Sequence, residues 1–557
     1  MTAIDARRPP AARPGGRVLP WLALAIAVLV IVPVALVIGH LLAPWSATWR
    51  HLAETVLGAM VVNTLWLVLG VGLGVMAIGT GTAWLVTMCS FPGCKVLEWA
   101  LVLPLAVPAY VIAYTYTDLL QFAGPVQSWI RAATGWAHGD YWFPPIRSLG
   151  GAIAMLVLVL YPYVYLIVRA SFLQQSVCVL DVGRTLGQGP WRCFVRIALP
   201  MARPAIVAGT ALALMETVAD FGTVAYFGVP TFTTGIYKVW FAMGDRIAAV
   251  QLAALLLLVV LAILTLERTS RGARRFDQAA RLYRPLRRHR LRGARAWAAT
   301  VACVAPLLLG FVVPAVVLAR MALLDGDAQF GPRFARLAAN SFTLAAIASL
   351  VTVACALVLG AAARSGPSTR AALAGRVASL GYAVPGSIIA VGILVPLAAF
   401  DNALDAWMRA HVGVSTGLVL TGTVAALVFA YLVRFLAVAL QAVDAGFARL
   451  SPTIDGAGRS LGAGPWRLLR QVHVPMLRGS AVTALLLVFV DVLKELPATL
   501  IMRPFNFDTL AVQAHNLAAD ERLSEASSAA LTIVAVGLAP VILLSRTIAR
   551  ARPGSKA

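Results

Sequence analysis

Long apolar segments alternate with short polar ones along this chain, a pattern that predicts repeated crossings of a membrane. About 20 helical residues cover a hydrocarbon core of about 30 Å. Twelve suitable segments occur in the 557 residues, at 19–43, 57–88, 96–120, 148–170, 201–226, 246–267, 296–322, 336–363, 374–399, 414–441, 476–502 and 526–549. The pattern therefore predicts an all-α membrane protein with twelve transmembrane helices.

The composition agrees, since 60% of the residues are hydrophobic and 12% are charged, against about 25% charged residues in a typical soluble domain. The net charge of +23 would permit nucleic-acid binding, but basic residues cluster in alternate loops, as the positive-inside rule expects of cytoplasmic loops. Arg268–Arg295 alone holds eleven arginines and one acid. We expect a multi-pass protein of the bacterial inner (plasma) membrane that contacts lipid, with both termini cytoplasmic and no nucleic-acid partner.

A polar, glycine-rich decapeptide occurs twice. Residues 183–192 read GRTLGQGPWR and residues 458–467 read GRSLGAGPWR, with eight of ten letters shared at a separation of 275 residues. The same separation relates Pro200 to Pro475, and one of 277 relates Asn63 to Asn340. Each half then has six spans, and because six is even, both halves enter the membrane in the same direction. We expect two parallel six-helix repeats.

Both decapeptides fall in predicted cytoplasmic loops, between the fourth and fifth spans of their half. Gly187 is suited to end a helix in the left-handed conformation, and Pro190 suits a first helical turn. Pro200, like Pro475, is expected to end the second short helix at the membrane entrance. Such a short helix can insert into a groove of a partner. Plain turns with arginines at the lipid headgroups are the alternative, which explains one copy better than two.

The first loop resembles the EAA motif of the membrane subunits of binding-protein-dependent ABC importers, in which an acid, two small residues and a later glycine precede Leu-Pro. The matching residues are Asp181, Val182, Gly183, Gly187, Leu199 and Pro200. The second loop departs from the motif, because Gly456 stands at the position of the acid, Asp455 comes one residue early and Val474 precedes Pro475. The resemblance implies that both loops are coupling helices for two copies of a cytoplasmic ABC ATPase.

The resemblance also names the expected coupling residues. They are Asp181, Gly183, Arg184, Gly187 and Pro200 in the first loop and Asp455, Gly458, Arg459, Gly462 and Pro475 in the second. The ATPases must be separate chains, because a P-loop needs lysine followed by serine or threonine, and the four lysines here precede Val, Val, Glu and Ala. We expect no catalytic residue and no bound cofactor in this chain, with ATP used by the partner subunits.

The resemblance and the repeat divide the chain into five segments. The expected segments are a cytoplasmic N-terminus with the first transmembrane helix (1–56), a first ABC permease domain (57–267), a basic cytoplasmic connector with the seventh transmembrane helix (268–335), a second ABC permease domain (336–549) and a cytoplasmic tail (550–557).

Residues 215–246 and 491–512 look closely similar to the fused permeases of ferric iron importers. That similarity implies a cargo of ferric iron; thiamine and phosphonate importers share the two-half design and stay open as alternatives. It also implies a periplasmic binding protein, for which Phe122–Arg147 and Arg503–Glu525 are the expected landing surfaces. The aromatic residues there are equally typical of a membrane-interface belt.

Five ionisable residues in the fifth and eleventh spans are candidates for a translocation path, namely Glu216, Asp220, Asp491, Lys494 and Glu495. Each pair of acids is spaced four apart, hence on one helix face, and ionisable groups within a membrane usually face a cavity or a partner. By length the first pair is expected near the outer edge. Structural pairing of Lys494 with an acid is one alternative, and a proton-driven secondary transporter is another. No histidine is assigned to a metal, and metal ligands stay unknown.

Overall fold

The computed structural model describes residues 18–137, 139–174, 190–271, 288–325, 331–365, 369–378, 381 and 384–550. Within these ranges the chain is helical almost throughout, and each of the two strands is only two residues long. The expected coupling residues Asp181, Gly183, Arg184 and Gly187 lie outside the described residues.

In the described residues the first half contains twelve α-helices and one strand. They are α1 (Val18–Gly39), α2 (Ala47–Thr55), α3 (Leu57–Met88), β1 (Cys89–Ser90), α4 (Cys94–Ala100), α5 (Ala109–Leu120), α6 (Pro125–Thr134), α7 (Leu149–Gln174), α8 (Pro190–Cys193), α9 (Leu199–Ala219), α10 (Gly222–Tyr226), α11 (Phe232–Tyr237) and α12 (Arg246–Arg271). Segments of π-helix, Phe194–Ala198 and Lys238–Ala242, follow α8 and α11, and 3₁₀ turns lie at His40–Leu42 and Leu103–Ala106.

Among the described residues the second half contains one strand and thirteen α-helices. Its elements are β2 (His289–Arg290), α13 (Ala294–Leu307), α14 (Val313–Arg320), α15 (Pro332–Arg364), α16 (Thr369–Ala378), α17 (Gly386–Val412), α18 (Val424–Phe447), α19 (Pro452–Ser460), α20 (Pro465–Leu468), α21 (Val474–Met476), α22 (Arg478–Leu493), α23 (Pro497–Met502), α24 (Leu510–Ala519) and α25 (Leu523–Arg550). Segments of π-helix lie at Leu308–Val312, Met321–Asp325 and Leu469–His473.

Ten helices in the described part of the chain are long and apolar enough to cross a membrane, and the number is twelve if each of two bent pairs is one span. The bent pairs are Cys94–Ala106 with Ala109–Thr134, at 92°, and Pro465–Met476 with Arg478–Leu493, at 79°. The upper number equals the twelve spans predicted from the sequence. The tenth predicted span began too early, because glycines at 413, 417 and 422 with positive φ hold a loop before α18.

Each half is built on three long helices that pack together, and the first helix of each half lies against the other half. The three are α3, α7 and α9 in the first half and α15, α18 and α22 in the second. Helix α1 packs on α15, α16 and α17, whereas α13 and α14 pack on α3, α4, α5 and α25. The halves are therefore interlocked by exchanged helices.

Equivalent asparagines make equivalent contacts in the two halves. The Asn63 amide donates a hydrogen bond to the Pro230 carbonyl at 3.0 Å, and the Asn340 amide donates one to the Asp508 carbonyl at 3.2 Å. Each bond ties a long helix, α3 or α15, to the loop before α11 or α24. The repeat seen in the sequence thus has a local counterpart in hydrogen bonding.

The basic connector ends on the first half. Strand β2 pairs in parallel with β1, with His289 opposite Cys89, and the Leu291 amide donates to the Ser90 carbonyl at 3.0 Å. Beside the strands, Glu98 accepts from Arg169 at 3.3 Å and also pairs with Arg288. An arginine of the connector therefore balances a carboxylate of the first half, as well as being available to lipid headgroups.

Helices α3 and α7 approach so closely that Gly79 has no room for a side chain. A Cβ at this position would lie 2.6 Å from Val164 Cβ and 2.9 Å from the Tyr161 carbonyl oxygen. In contrast, a Cβ at Gly81, on the same helix, meets nothing within 4 Å. Close approach of backbones through small residues is a main source of helix association in membranes.

We therefore expect Gly79→Ala to force α3 and α7 apart and lower the free energy of unfolding by about 1–3 kcal/mol, as overpacking does. Gly81→Ala is the matched control and is expected to be neutral or slightly stabilising, because alanine is the better helix former. Thermal unfolding of the detergent-solubilised protein measures both. Equal melting temperatures for the two variants would contradict the close packing described here.

Candidate functional site

The fifth span breaks at Asp220, and the side chain of this residue caps the helix that follows. Its Oδ1 atom accepts hydrogen bonds from the amides of Thr223 at 3.1 Å and Val224 at 3.2 Å, and Oδ2 accepts from the Thr223 hydroxyl at 3.1 Å. A new helix leaves its first amides without intrahelical partners, and an acid at its start also suits the helix dipole. The carboxylate therefore stabilises α10 inside the bundle.

The eleventh span repeats this arrangement at Glu495. Its Oε1 accepts from the Ala498 amide at 2.8 Å, and its Oε2 accepts from Thr499, at 3.0 Å from the amide and 2.6 Å from the hydroxyl. Ala498 and Thr499 stand 275 residues after Thr223 and Val224. A carboxylate therefore caps the start of both α10 and α23, which explains why an acid stands at the same place in both repeats.

All five candidate path residues line one cavity of about 110 Å³ between the halves. Its charged lining residues are Glu216, Asp220, Arg434, Asp491, Lys494 and Glu495. Four carboxylates and two basic groups give the cavity a formal net charge of −2. The sequence interpretation brought the first-half and second-half acids together correctly but missed Arg434, a lone charge in the tenth span.

The second-half acids are paired with bases. Lys494 Nζ lies 2.9 Å from Asp491 Oδ1, and Arg434 Nη1 lies 2.9 Å from Glu495 Oε1. Arg434 also reaches across to the first half, where its Nη2 lies 4.0 Å from Glu216 Oε2. Lys494 is therefore paired with an acid, as the structural alternative named in the sequence analysis expected. The unbalanced negative charge of the cavity lies on Glu216 and Asp220.

Gly386 makes room for the Arg434–Glu495 pair. A Cβ here would collide with the Arg434 guanidinium and lie 2.6 Å from Glu495 Oε1. Because Pro385 precedes this glycine and starts α17, the N-terminus of that helix sits directly against the ion pair. A glycine at this position is what lets the start of α17 approach the ion pair.

Helix α5 runs between the cavity and a second pocket. Ala109, at the start of α5, lines the cavity, while Leu120, at its end, lines the pocket where Arg147 pairs with Glu521. Twelve residues of α5 at 1.5 Å each separate the two, about 18 Å. The position of Glu216 and Asp220 near the outer edge of the membrane stays a prediction.

Residues 455–475, the second repeated loop, fold as helix, turn and helix. Gly462 has a φ of 82°; its amide donates to the Arg459 carbonyl and the Ala463 amide donates to the Gly458 carbonyl, both at 3.0 Å. This is a Schellman motif, as predicted for the corresponding glycine of the repeat. Pro465 then starts α20 as its first helical residue, after Gly464.

The second glycine of the repeat sets how the two short helices pack. A Cβ at Gly458 would collide with the side chain of Leu468, which is buried between α19 and α20. The side chains of Leu461, at 87% exposure, and Trp466, at 57%, project outward, and Trp191 of the first decapeptide is 70% exposed. Exposed apolar side chains on short helices that are joined by a glycine turn are typical of a docking surface.

Asp455 points into the protein. It is 7% exposed, and its carboxylate lies 2.8 Å from Arg364 Nε and 2.8 Å from His473 Nε2. Arg364 also donates to the carbonyls of Phe447 and Leu450, at 2.8 and 3.1 Å. Burial by itself would raise the pKa of Asp455, but the hydrogen bonds from His473 and Arg364 outweigh it and lower that pKa. The network fixes α19 to α15 and to the segment before α21.

Pro200 and Pro475 behave differently. Pro475 lies in α21, which ends one residue later at a 79° bend, close to the prediction. The prediction for Pro200 was wrong, because the helix runs on from Trp191 to Ala219 through the π-helical turn Phe194–Ala198. An equivalent π-helical segment, Leu469–His473, precedes Pro475, so the π-helical turn is common to both repeats and the bend is not.

The expected landing surfaces form an open pocket. It has a volume of about 720 Å³ and includes Tyr141, Trp142 and Arg147. Arg147 Nη2 lies 3.2 Å from Glu521 Oε1, so the two expected surfaces, Phe122–Arg147 and Arg503–Glu525, meet there. Trp142 and Phe505 are almost fully exposed.

No three His, Cys, Asp or Glu side chains among the described residues form a group that could hold a metal ion. The cavity therefore offers single carboxylates rather than a preformed metal cage. His515, the one histidine beside the cavity region, bonds the Tyr114 hydroxyl at 2.6 Å and packs near Phe221.

Comparison with known proteins identifies the class. The family described as "Binding-protein-dependent transport system inner membrane component" matches residues 70–267. The chain is 26% identical over 488 residues to the Fe(3+)-transport system permease protein FbpB 2 of Haemophilus influenzae, covering 87% of this chain and 89% of that protein. It is 32% identical over 217 residues to the putative 2-aminoethylphosphonate transport system permease protein PhnV of Salmonella paratyphi A, covering 39% and 75%.

A third relative is the molybdenum transport system permease protein ModB of Escherichia coli, 29% identical over 152 residues, covering 27% of this chain and 63% of that protein. The chain belongs to the family of binding-protein-dependent transport system inner membrane components, and it is a permease of the type I ABC importer class. It is accordingly a multi-pass inner-membrane protein and a translocation component rather than an enzyme, as the resemblance of the first loop implied.

We expect Asp455→Asn to loosen α19 from α15, because one charge of a buried, hydrogen-bonded network is removed, at a local cost of about 1–3 kcal/mol. Amide hydrogen exchange across 452–460 should accelerate roughly tenfold or more, since 1.4 kcal/mol is a factor of ten. Asp520→Asn, an exposed acid at the opposite end, is the control.

The effect of Asp455→Asn on amide exchange should be present at neutral pH and lost in acid. Because the folded-state pKa of Asp455 is lowered, its contribution is fully present above the ordinary carboxyl pKa of about 3.9 and is lost as pH falls through the lowered value. Exchange in 452–460 should therefore differ between Asp455→Asn and the unmodified protein at neutral pH and converge in strong acid. Identical exchange at neutral pH would contradict the anchoring role.

Proposed function

We propose that this chain is a fused double permease of an ATP-driven importer, made of two parallel six-helix repeats, and that it moves ferric iron delivered by a periplasmic binding protein. The observation that carries the architecture is the repeated loop: one decapeptide, twice, with exposed Trp191 and Trp466 at matching positions. Two matching docking loops require two matching binding sites. We therefore infer two copies of a cytoplasmic ATPase subunit.

The orientation follows from charge. In this proposal the repeated loops and the basic connector lie at the cytoplasmic end of the bundle, because the positive-inside rule assigns basic loops to the cytoplasm. Both termini then lie in the cytoplasm as well, and the pocket around Arg147 and Glu521 faces the periplasm. That pocket is where we place the binding protein.

Ferric iron as cargo has two supports. The alignment that spans both halves is with a protein named as an Fe(3+) permease. Independently, the cavity between the halves has a net negative charge, which attracts cations and repels oxyanions such as molybdate, sulfate or a phosphonate. The relatives named for those anions align with less of the chain.

In this proposal the chain performs no covalent chemistry. ATP binding closes the two ATPase subunits, and their movement displaces the coupling helices, among them α19 and α20. The halves then alternate between openings to the two sides of the membrane. Glu216, Asp220, Asp491, Lys494 and Glu495, which line the cavity between the halves, line the translocation path. Energy enters through contacts that differ between two global states.

We expect Trp466→Ala combined with Leu461→Ala to weaken ATPase binding and to reduce ATP-dependent uptake at least roughly tenfold, because truncating buried aromatic anchors of an interface typically costs 2 kcal/mol or more. Trp66→Ala, an exposed tryptophan of α3, is the matched control. Proteoliposomes with the cognate ATPase and binding protein measure uptake. Uptake driven by a proton gradient without the ATPase would instead support the secondary-transport alternative.

The cargo assignment predicts that reconstituted complex accumulates ⁵⁵Fe³⁺ supplied on the binding protein and that unlabelled ferric iron competes. Molybdate, sulfate and 2-aminoethylphosphonate should neither compete nor accumulate, because the cavity charge opposes them. Thiamine, carried by importers of similar design, is tested in the same assay. Accumulation of any of these compounds in place of iron would refute the assignment.

A further inference from the structure

An aromatic layer lies between the central cavity and the two pockets that share Arg147, here called the outer pockets. Two helices of the first half run from the cavity to these pockets. In α10, Gly222 lines the cavity and Tyr226 lines an outer pocket. In α5, Ala109 lines the cavity and Leu120 lines the other outer pocket. Side chains midway along α5 and α10 therefore lie between the cavity and the outer pockets.

Tyr114 is midway along α5 and connects the first half to the second. Its hydroxyl bonds His515 Nδ1, on α24, at 2.6 Å, and its ring meets the Tyr226 ring edge-on with the centroids 4.5 Å apart. Tyr114 is 3% exposed, so water does not compete for this hydrogen bond. A buried hydrogen bond that joins the two halves stabilises the arrangement in which they touch.

The ring of Phe221 fills the layer beside this hydrogen bond. Phe221 lines the cavity and is buried. Its ring stacks on the Tyr237 ring, with the centroids 3.8 Å apart, and lies 5.8 Å from the His515 ring. Stacked aromatic rings attract each other beyond the effect of the area they bury. Phe221 is therefore held from two sides, by Tyr237 of its own half and by His515 of the other half.

The two rings that flank Phe221 stand at equivalent positions of the repeat. Tyr237 comes six residues after Thr231, which caps α11, and His515 comes six residues after Thr509, which caps α24. Both side chains reach the opposite half, since the Tyr237 hydroxyl donates to a carbonyl at the start of α23 and His515 bonds α5. The layer can therefore open only if the halves separate at this level.

Building on the proposed function, we propose that Phe221 is the outer gate of the translocation path and that the hydrogen bond between Tyr114 and His515 is the latch of this gate. With the latch closed, the Phe221 ring blocks the route from the outer pockets to the cavity, because apolar constrictions exclude water and ions. When the halves separate on the outer side, the latch breaks, Phe221 loses one flanking ring and cargo enters.

The test measures how fast a cysteine placed in the cavity, Ala109→Cys, reacts with a membrane-impermeant thiol reagent added outside right-side-out vesicles that hold the complete complex without ATP. We expect Tyr114→Phe and His515→Ala each to speed the reaction at least about threefold, as loss of one buried hydrogen bond allows. Phe221→Ala should speed it further, because the blocking ring is gone. His515→Gln can still bond the phenol and should restore part of the closure.

The matched control is Tyr116→Phe on the same helix, whose hydroxyl bonds the Leu309 carbonyl at 2.8 Å; it should react at the unmodified rate. A second experiment joins Tyr114→Cys to His515→Cys with a short crosslinker that a reductant cleaves. ATP-dependent uptake should stop on crosslinking and return on cleavage, whereas the reagent should not change uptake by either single-cysteine variant.

The outcomes separate the gate from the proposed function. If the latch and Phe221 variants react like the unmodified chain and crosslinking leaves uptake intact, the gate is wrong while the proposed function stands. If the reaction rates and the crosslink behave as expected but uptake needs no ATPase, or the cargo is not iron, the gate stands and the proposed function fails in that part.

Discussion

A helix that breaks inside a membrane must find partners for its freed backbone groups without help from water, and this constraint organises the centre of the molecule. At the two breaks, before α10 and before α23, the partners are the carboxylates of Asp220 and Glu495. A carboxylate is a strong acceptor but brings a charge with it. The cavity, its basic counter-charges and the requirement for Gly386 all follow from placing two such charges between the halves.

Both helix breaks are capped by a carboxylate, but the negative charges beside the two breaks are balanced differently. In the second half, Lys494 and Arg434 neutralise both acids; the position equivalent to Lys494 in the first half is Ala219. Arg434 has no basic counterpart either, since the residues 275–277 positions earlier, 157–159, are Val-Leu-Val. Net negative charge is therefore left on one side of the cavity, an asymmetry that two identical subunits could not have.

Sequence reasoning succeeded where local rules decide and failed where packing decides. The Schellman turn at Gly462 and the shared face of the spaced acids follow from glycine conformation and helical periodicity. Arg434 was missed, although a lone charge in an apolar span is itself a signal. Pro200 misled because the helix continues past it to Ala219. The exchange of α1 between halves was not predictable, since a helix apolar on every side does not show which side faces protein.

One helix joins the docking surface to the cavity. Asp455 fixes α19 to Arg364 and to His473, three residues before the end of α21. Beyond the 79° bend, α22 runs sixteen residues, about 24 Å, to the turn that holds Lys494 and Glu495. In the proposed function, displacement of α19 moves the groups that hold Arg434, and through Arg434 the contact with Glu216. Coupling between two sites requires an element whose position both sites bias, and we propose α22 as that element.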